Sequence, residues 1–135
     1  MRQTIEENIM SRVYIAGKWD DRDQVITLMS WLNKMSVVVS HDWTAQEHKE
    51  ETMPEWLRTA TMDVAGIRQA DFLVAIMDRE YVFRGTWVEI GYALALGKTA
   101  MLVGAEARKT NFCALPNVRL FKDIYDLKDW WLNGG

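Results

Sequence analysis

The chain is poor in the residues that hold metals and disulfides. It carries one cysteine, Cys113, and two histidines, His41 and His48, among 135 residues. A single thiol forms no internal disulfide, which fits a reducing compartment. No further Cys or His gathers beside the histidines, so zinc-ligand spacing is missing and neither a metal nor an organic cofactor is implied. There is no G-x-S-x-G elbow, G-x-G-x-x-G or Walker loop. A serine nucleophile, a dinucleotide site and a triphosphate site therefore lack motif support. No apolar run reaches ~18 residues and the amino terminus has no signal-peptide core, so the expectation is a soluble, cytoplasmic protein without membrane contact. A net charge of −3 argues against electrostatic binding to a nucleic-acid polymer.

The length suits one compact domain over residues 1–135, with residues 1–11 as a polar arm. Seven tryptophans are many for this length. Most should serve the core or an interface, and some can offer a stacking surface to an aromatic ligand.

The organising stretch runs from Ala70 to Lys98. Phe72 to Met77 is a short apolar run, as in a strand buried on both faces of a parallel sheet. Asp78 to Arg84 is a polar loop with two aromatics. From Gly85 the pattern is helical, closing on Gly97. In an open α/β sheet this order places the loop at a strand's carboxyl end, where ligands bind.

Two readings of Glu89 follow. In the first turn of that helix, amide dipoles favour its charged form, and a carboxylate beside a cleft can attack an electrophilic sugar carbon. Thr86-Trp87-Val88-Glu89 equally fits the S/T-x-x-E capping box, in which the glutamate only ties back to the backbone. Spacing does not choose between them.

Elsewhere, strands are expected over Arg12–Ala16, Ser36–Ser40, Thr99–Val103 and after Asn117. Helices are expected from about Val25 to Met35, Pro54 to Gln69 and Asp126 to Leu132. After the first strand, Gly17 permits close backbone approach, with Lys18, Trp19 and Arg22 in the same turn. Lys18 and Arg22 are either solvated charges or contacts for a 5′-phosphate. His41, Asp42 and Trp43 close the second strand and suit base stacking or sugar hydrogen bonds, or else form a loop packed down by the indole. Asp63 falls partly on the inner face of its helix, where a carboxylate is costly unless paired, with Arg68 or Arg84, or functional. Asp78, just past the third strand, can act as a second acid that protonates a leaving base. Five strands alternating with helices imply an α/β three-layer sandwich around a parallel sheet.

Arg84-Gly85-Thr86-Trp87-Val88-Glu89-Ile90-Gly91-Tyr92-Ala93-Leu94-Ala95-Leu96-Gly97-Lys98 resembles the GT-x-x-E-[IL]-G-[YA]-A-x-x-x-G-K signature of the nucleoside 2-deoxyribosyltransferase family. Val13 to Gly17 resembles its opening Y-[IL]-A-G strand, and Asp63 to Asp71 its D-x-x-x-I-x-x-[AN]-D helix end. The resemblance, spanning about Arg12 to Asn117, implies the flavodoxin-like strand order 2-1-3-4-5. It implies Glu89 as nucleophile, Tyr14 holding that glutamate by a hydrogen bond, and Asp63 positioning sugar or base. It implies a homo-oligomer in which a late residue, by position Asn117, completes a neighbour's site. The chain departs from the family pattern before the GT motif, where many members carry an acid and this chain has Phe83-Arg84. Either Asp78 covers that role or Arg84 marks a phosphorylated substrate. The expected reaction passes the sugar of a 2′-deoxyribonucleoside to another nucleobase through a glycosyl-glutamate. The alternatives are hydrolysis of a deoxynucleoside 5′-monophosphate and nucleotide binding without chemistry.

Overall fold

A computed structural model describes residues 11–46 and 51–134. The expected amino-terminal arm, His48 and most of the charged run after Gln46 lie outside the described residues. Five strands form one all-parallel sheet in the order β2-β1-β3-β4-β5: β1 Arg12–Ala16, β2 Val38–Val39, β3 Phe72–Ile76, β4 Thr99–Val103 and β5 Val118–Phe121. This is the α/β architecture and strand order expected above.

Four helices cover the sheet: α1 Arg22–Lys34, α2 Met53–Gln69, α3 Arg84–Ala95 and α4 Ile124–Leu132. Right-handed crossovers send α1 to one face and α2 and α3 to the other. On the first face α1 meets α4 through Trp31 and Trp131, edge-on at 6.5 Å. Because both faces are covered, β1, β3 and β4 are buried from their second residue onward. Among the described residues no helix is long and apolar enough to cross a membrane.

The second strand is shorter than expected, whereas the third helix closes on Gly97 as expected. The second strand keeps only Val38 and Val39, because α1 ends in a Schellman turn that consumes the residues before it. Ser36 takes φ 67°, its N–H reaches Asn33 O at 3.1 Å, and the Val37 N–H reaches Leu32 O at 3.0 Å. Gly97, at φ 77°, closes α3 with the same pair of bonds, from Gly97 N to Leu94 O and from Lys98 N to Ala93 O. The glycine there costs less than the serine, since an L side chain disfavours that backbone region.

The reversal of strand order falls between β1 and β3, and a crevice opens at their carboxyl ends. Gly66 brings α2 down on this crevice. A Cβ there would lie 2.6 Å from His41 Cβ and 3.1 Å from Tyr14 Cδ2. Ser40 Oγ donates to Gly66 O at 2.7 Å and ties the end of β2 to the same turn. Asp63, one turn earlier on α2, is thereby set against Tyr14 and His41.

Candidate active site

Helix α3 starts at Arg84 with Phe83 as its N-cap, so Thr86 lies inside the helix and Glu89 in its second turn. The capping-box reading therefore fails on register, and so does placement in the first turn. Glu89 instead turns toward β1, where Tyr14 Oη donates to Glu89 Oε2 at 2.7 Å. The start of α3 is held by Phe83 itself, which is left-handed at φ 55°, 1% exposed and edge-on to Tyr81 at 5.1 Å. A bulky residue in that conformation is strained and must be fixed by its packing.

Tyr14, Asp63 and Glu89 line one cleft of about 560 Å³, within the size range of small-molecule sites. Burial pushes the Glu89 carboxyl up to about 8; the Tyr14 hydrogen bond opposes this and nearby Asp63 adds to it. Burial and the two carboxylates push the Tyr14 phenol far above its ordinary range, so it stays a donor. Asp63 is also raised by burial, against the pull of His41. Its expected salt bridge to Arg68 or Arg84 is not formed. Arg68 Nε bonds Tyr92 Oη at 2.9 Å, and the nearest base to Asp63 Oδ1 is His41 Nε2, at 3.5 Å.

Tyr14→Phe removes the donor that steadies ionised Glu89. We expect kcat/KM to fall by roughly tenfold to a hundredfold and the Glu89 titration to move further up, read from the pH profile.

Gly17, Lys18, Trp19, Trp43, Arg84 and Gly85 also line the cleft. Trp43 Nε1 donates to Ile15 O at 2.6 Å, and its ring tilts against Trp19 at 6.2 Å. Lys18 Nζ sits 3.2 Å from Asp20 Oδ2 and 4.0 Å from the centre of the Tyr81 ring. Gln46, Tyr81, Val82 and Phe83 line the cleft too and were not singled out from the sequence. Three of them belong to the aromatic loop before Arg84, but nothing in the spacing shows that Phe83 turns that loop inward.

Four expected site residues are placed elsewhere. Asp78 is exposed and accepts from Gln24 Nε2 of α1 at 2.5 Å, because the close seat of Gly104 on Met77 and Asp78 fixes the backbone there. It is not brought to Glu89, so the second acid of this site is Asp63. Asp42 is exposed and caps the short turn Trp43–Ala45 through Thr44 N. Asn117 donates to Lys98 O at 2.9 Å, at the amino end of the sheet and away from this chain's cleft. His41 stands behind Asp63 and does not line the cavity.

Fold and site together define a doubly wound α/β protein with a carboxylate pair in the crevice at its switch point. The sequence profile of the nucleoside 2-deoxyribosyltransferase family matches residues 13–123, and the chain belongs to that family. No curated protein sequence matches it. Among solved structures it is similar to a 2-deoxyribosyltransferase from Bacillus psychrosaccharolyticus, with TM-score 0.70 and 20% identity over 88% of this chain and 91% of that one. It is similar to a CMP N-glycosidase from Clostridium botulinum, with TM-score 0.62 and 20% identity over 90% of this chain and 98% of that one. A third is the 2-desoxiribosyltransferase of Leishmania mexicana, with TM-score 0.51 and 21% identity over 70% of this chain and 64% of that one. The family is that of the nucleoside 2-deoxyribosyltransferases, and the solved structures show that the chain shares its fold with a transferase and with an N-glycosidase.

Proposed function

We propose that this chain transfers the deoxyribosyl group of a 2′-deoxyribonucleoside between nucleobases. The observation that carries the reading is the Tyr14–Glu89 hydrogen bond of 2.7 Å, in a cleft that Asp63 shares. Such a pair provides a nucleophile and an acid at one glycosidic bond. Glu89 Oε bonds to the anomeric carbon while the bond from that carbon to the base nitrogen breaks. The electron pair stays with the base, which takes a proton from Asp63. A second base then attacks the same carbon, returns a proton to Asp63 and frees Glu89. The charged state needs no outside proton. Burial keeps a proton on Glu89 near neutrality, and its passage from Glu89 to Asp63 creates nucleophile and acid together. Trp19 and Trp43 offer ring faces on which a base can stack.

A second reading, hydrolysis of a deoxynucleoside 5′-monophosphate, is favoured by the start of α3. That helix has no acid in its first turn and no side-chain cap, and Arg84 and Lys18 line the cleft beside it. Cations and free amides at a helix amino end suit a phosphate. Under this reading Arg84→Ala lowers the monophosphate-to-nucleoside ratio of kcat/KM by about tenfold or more, the worth of a charge-assisted hydrogen bond. An unchanged ratio removes Arg84 from phosphate binding.

Chromatography of free base from a panel of deoxyribonucleosides and their monophosphates, with and without a second base, tests both readings. Exchange of bases supports transfer; release from monophosphates alone, without exchange, supports hydrolysis.

A further inference from the structure

Asp63 Oδ1 is buried and meets no hydrogen-bond partner among the described residues. An ionised carboxylate with an orphaned oxygen is costly, and the proposed reaction makes Asp63 ionised when it gives its proton to the departing base. Among the described residues the basic group facing that oxygen is His41 Nε2, at 3.5 Å, with side-chain exposures of 15% for His41 and 27% for Asp63. On its other side the same nitrogen meets Gln46 Nε2 at 3.0 Å, and Gln46 itself lines the cleft. Glu89 faces Asp63 from the cleft side, and Asp42, next to His41 in the chain, is turned into its own cap at Thr44. His41 is held from behind by Gly66, whose missing Cβ admits it, and by Ser40, which is bonded to the carbonyl of that glycine.

We propose that His41 is a positioning residue that acts through Asp63, its Nε2–H closing on Oδ1 as the carboxylate forms and opening again when the proton returns. The proposal rests on the reading of Asp63 as the acid that protonates the leaving base. Nε2 lies between two claimants. Where Gln46 donates to it, the ring proton sits on Nδ1; where Nε2 carries the proton, it donates to Asp63 and the Gln46 amide turns its oxygen inward. No bond of His41 to substrate is involved.

The test compares His41→Asn and His41→Gln with the parent enzyme on two deoxynucleosides. One has an ordinary purine base. The other is the 7-methylguanine deoxynucleoside, whose base is already cationic and departs without a proton. On the ordinary base, His41→Asn is expected to lower kcat by about tenfold to a hundredfold with KM changed less than about threefold. His41→Gln, which keeps a donor of similar reach, recovers part of the loss. On the cationic base the loss is under about threefold, because general-acid help is not required there. Equal losses on both substrates, or none on either, overturn the proposal. Should the parent cleave neither substrate, the proposed reaction fails, and the His41 coupling is judged on carbon-13 NMR of the Asp63 carboxyl alone. Its titration moves upward in His41→Asn if the coupling is real; an unmoved titration overturns it.

Discussion

Glu89→Gln is expected to abolish sugar transfer, lowering kcat/KM by at least about a thousandfold, because the amide cannot form the glycosyl ester that the proposed reaction requires. The substitution is close to isosteric, and its amide oxygen can still accept from Tyr14 Oη, so the 2.7 Å bond that fixes the side chain has a counterpart in the variant. Loss of activity in a folded variant is then loss of the nucleophile. The parent should also form a covalent adduct with a 2′-fluorinated nucleoside, since an electron-withdrawing substituent destabilises the oxocarbenium-like transition state of breakdown. Mass spectrometry should place the added sugar on the peptide holding Glu89. If Glu89→Gln performs like the parent, or the sugar is carried by another peptide, the double displacement is wrong.

The sequence made the sheet legible because buried parallel strands are written as uninterrupted apolar runs. Phe72–Ile76 and Thr99–Val103 announce themselves in this way. Val38–Val39 is harder, since an edge strand of two residues is shortened by a helix end whose left-handed serine has no turn-forming glycine to signal it. Glu89 could be singled out, but its environment could not. The helix start depends on Phe83 adopting φ 55°, a conformation that no local pattern assigns to phenylalanine. A shift of cap moved Glu89 by a turn and exchanged the stabilising dipole expected for it for burial. Asp78 fell away for a similar reason. Both it and Asp63 stand next to apolar segments, but only the closeness of Gly66 to β1 determines which carboxyl meets Glu89. His41 was singled out for substrate contact, but it stands behind Asp63, a place set by a contact between residues 22 positions apart (63 − 41) that no local pattern announces.

The second large effect is on stability against pH. Glu89 titrates near 8 in the folded chain and near ~4.3 when unfolded. The folded state holds the proton more tightly, so this group stabilises fully below the unfolded value. The contribution is lost progressively as pH rises toward 8 and is gone above it. In that window the parent loses at most about 1.4 kcal/mol per pH unit through Glu89, and partial exposure reduces the loss. Glu89→Gln has no proton to lose. Its unfolding free energy relative to the parent should therefore climb between pH 5 and 8, by roughly 2–4 kcal/mol in total, and level off beyond. Urea unfolding of both proteins at five pH values reads this directly, and parallel curves would sink the claim that Glu89 is protonated at rest. Activity depends on the same proton with an opposite preference for substrate. Above about pH 8 Glu89 has no proton to pass to Asp63, so kcat/KM on ordinary bases should fall toward tenfold per unit. On a base that leaves as a cation-derived neutral molecule it should hold, because ionised Glu89 is all that step requires. An alkaline decline of equal depth on both substrates would assign the lost proton to binding or folding rather than to the leaving base.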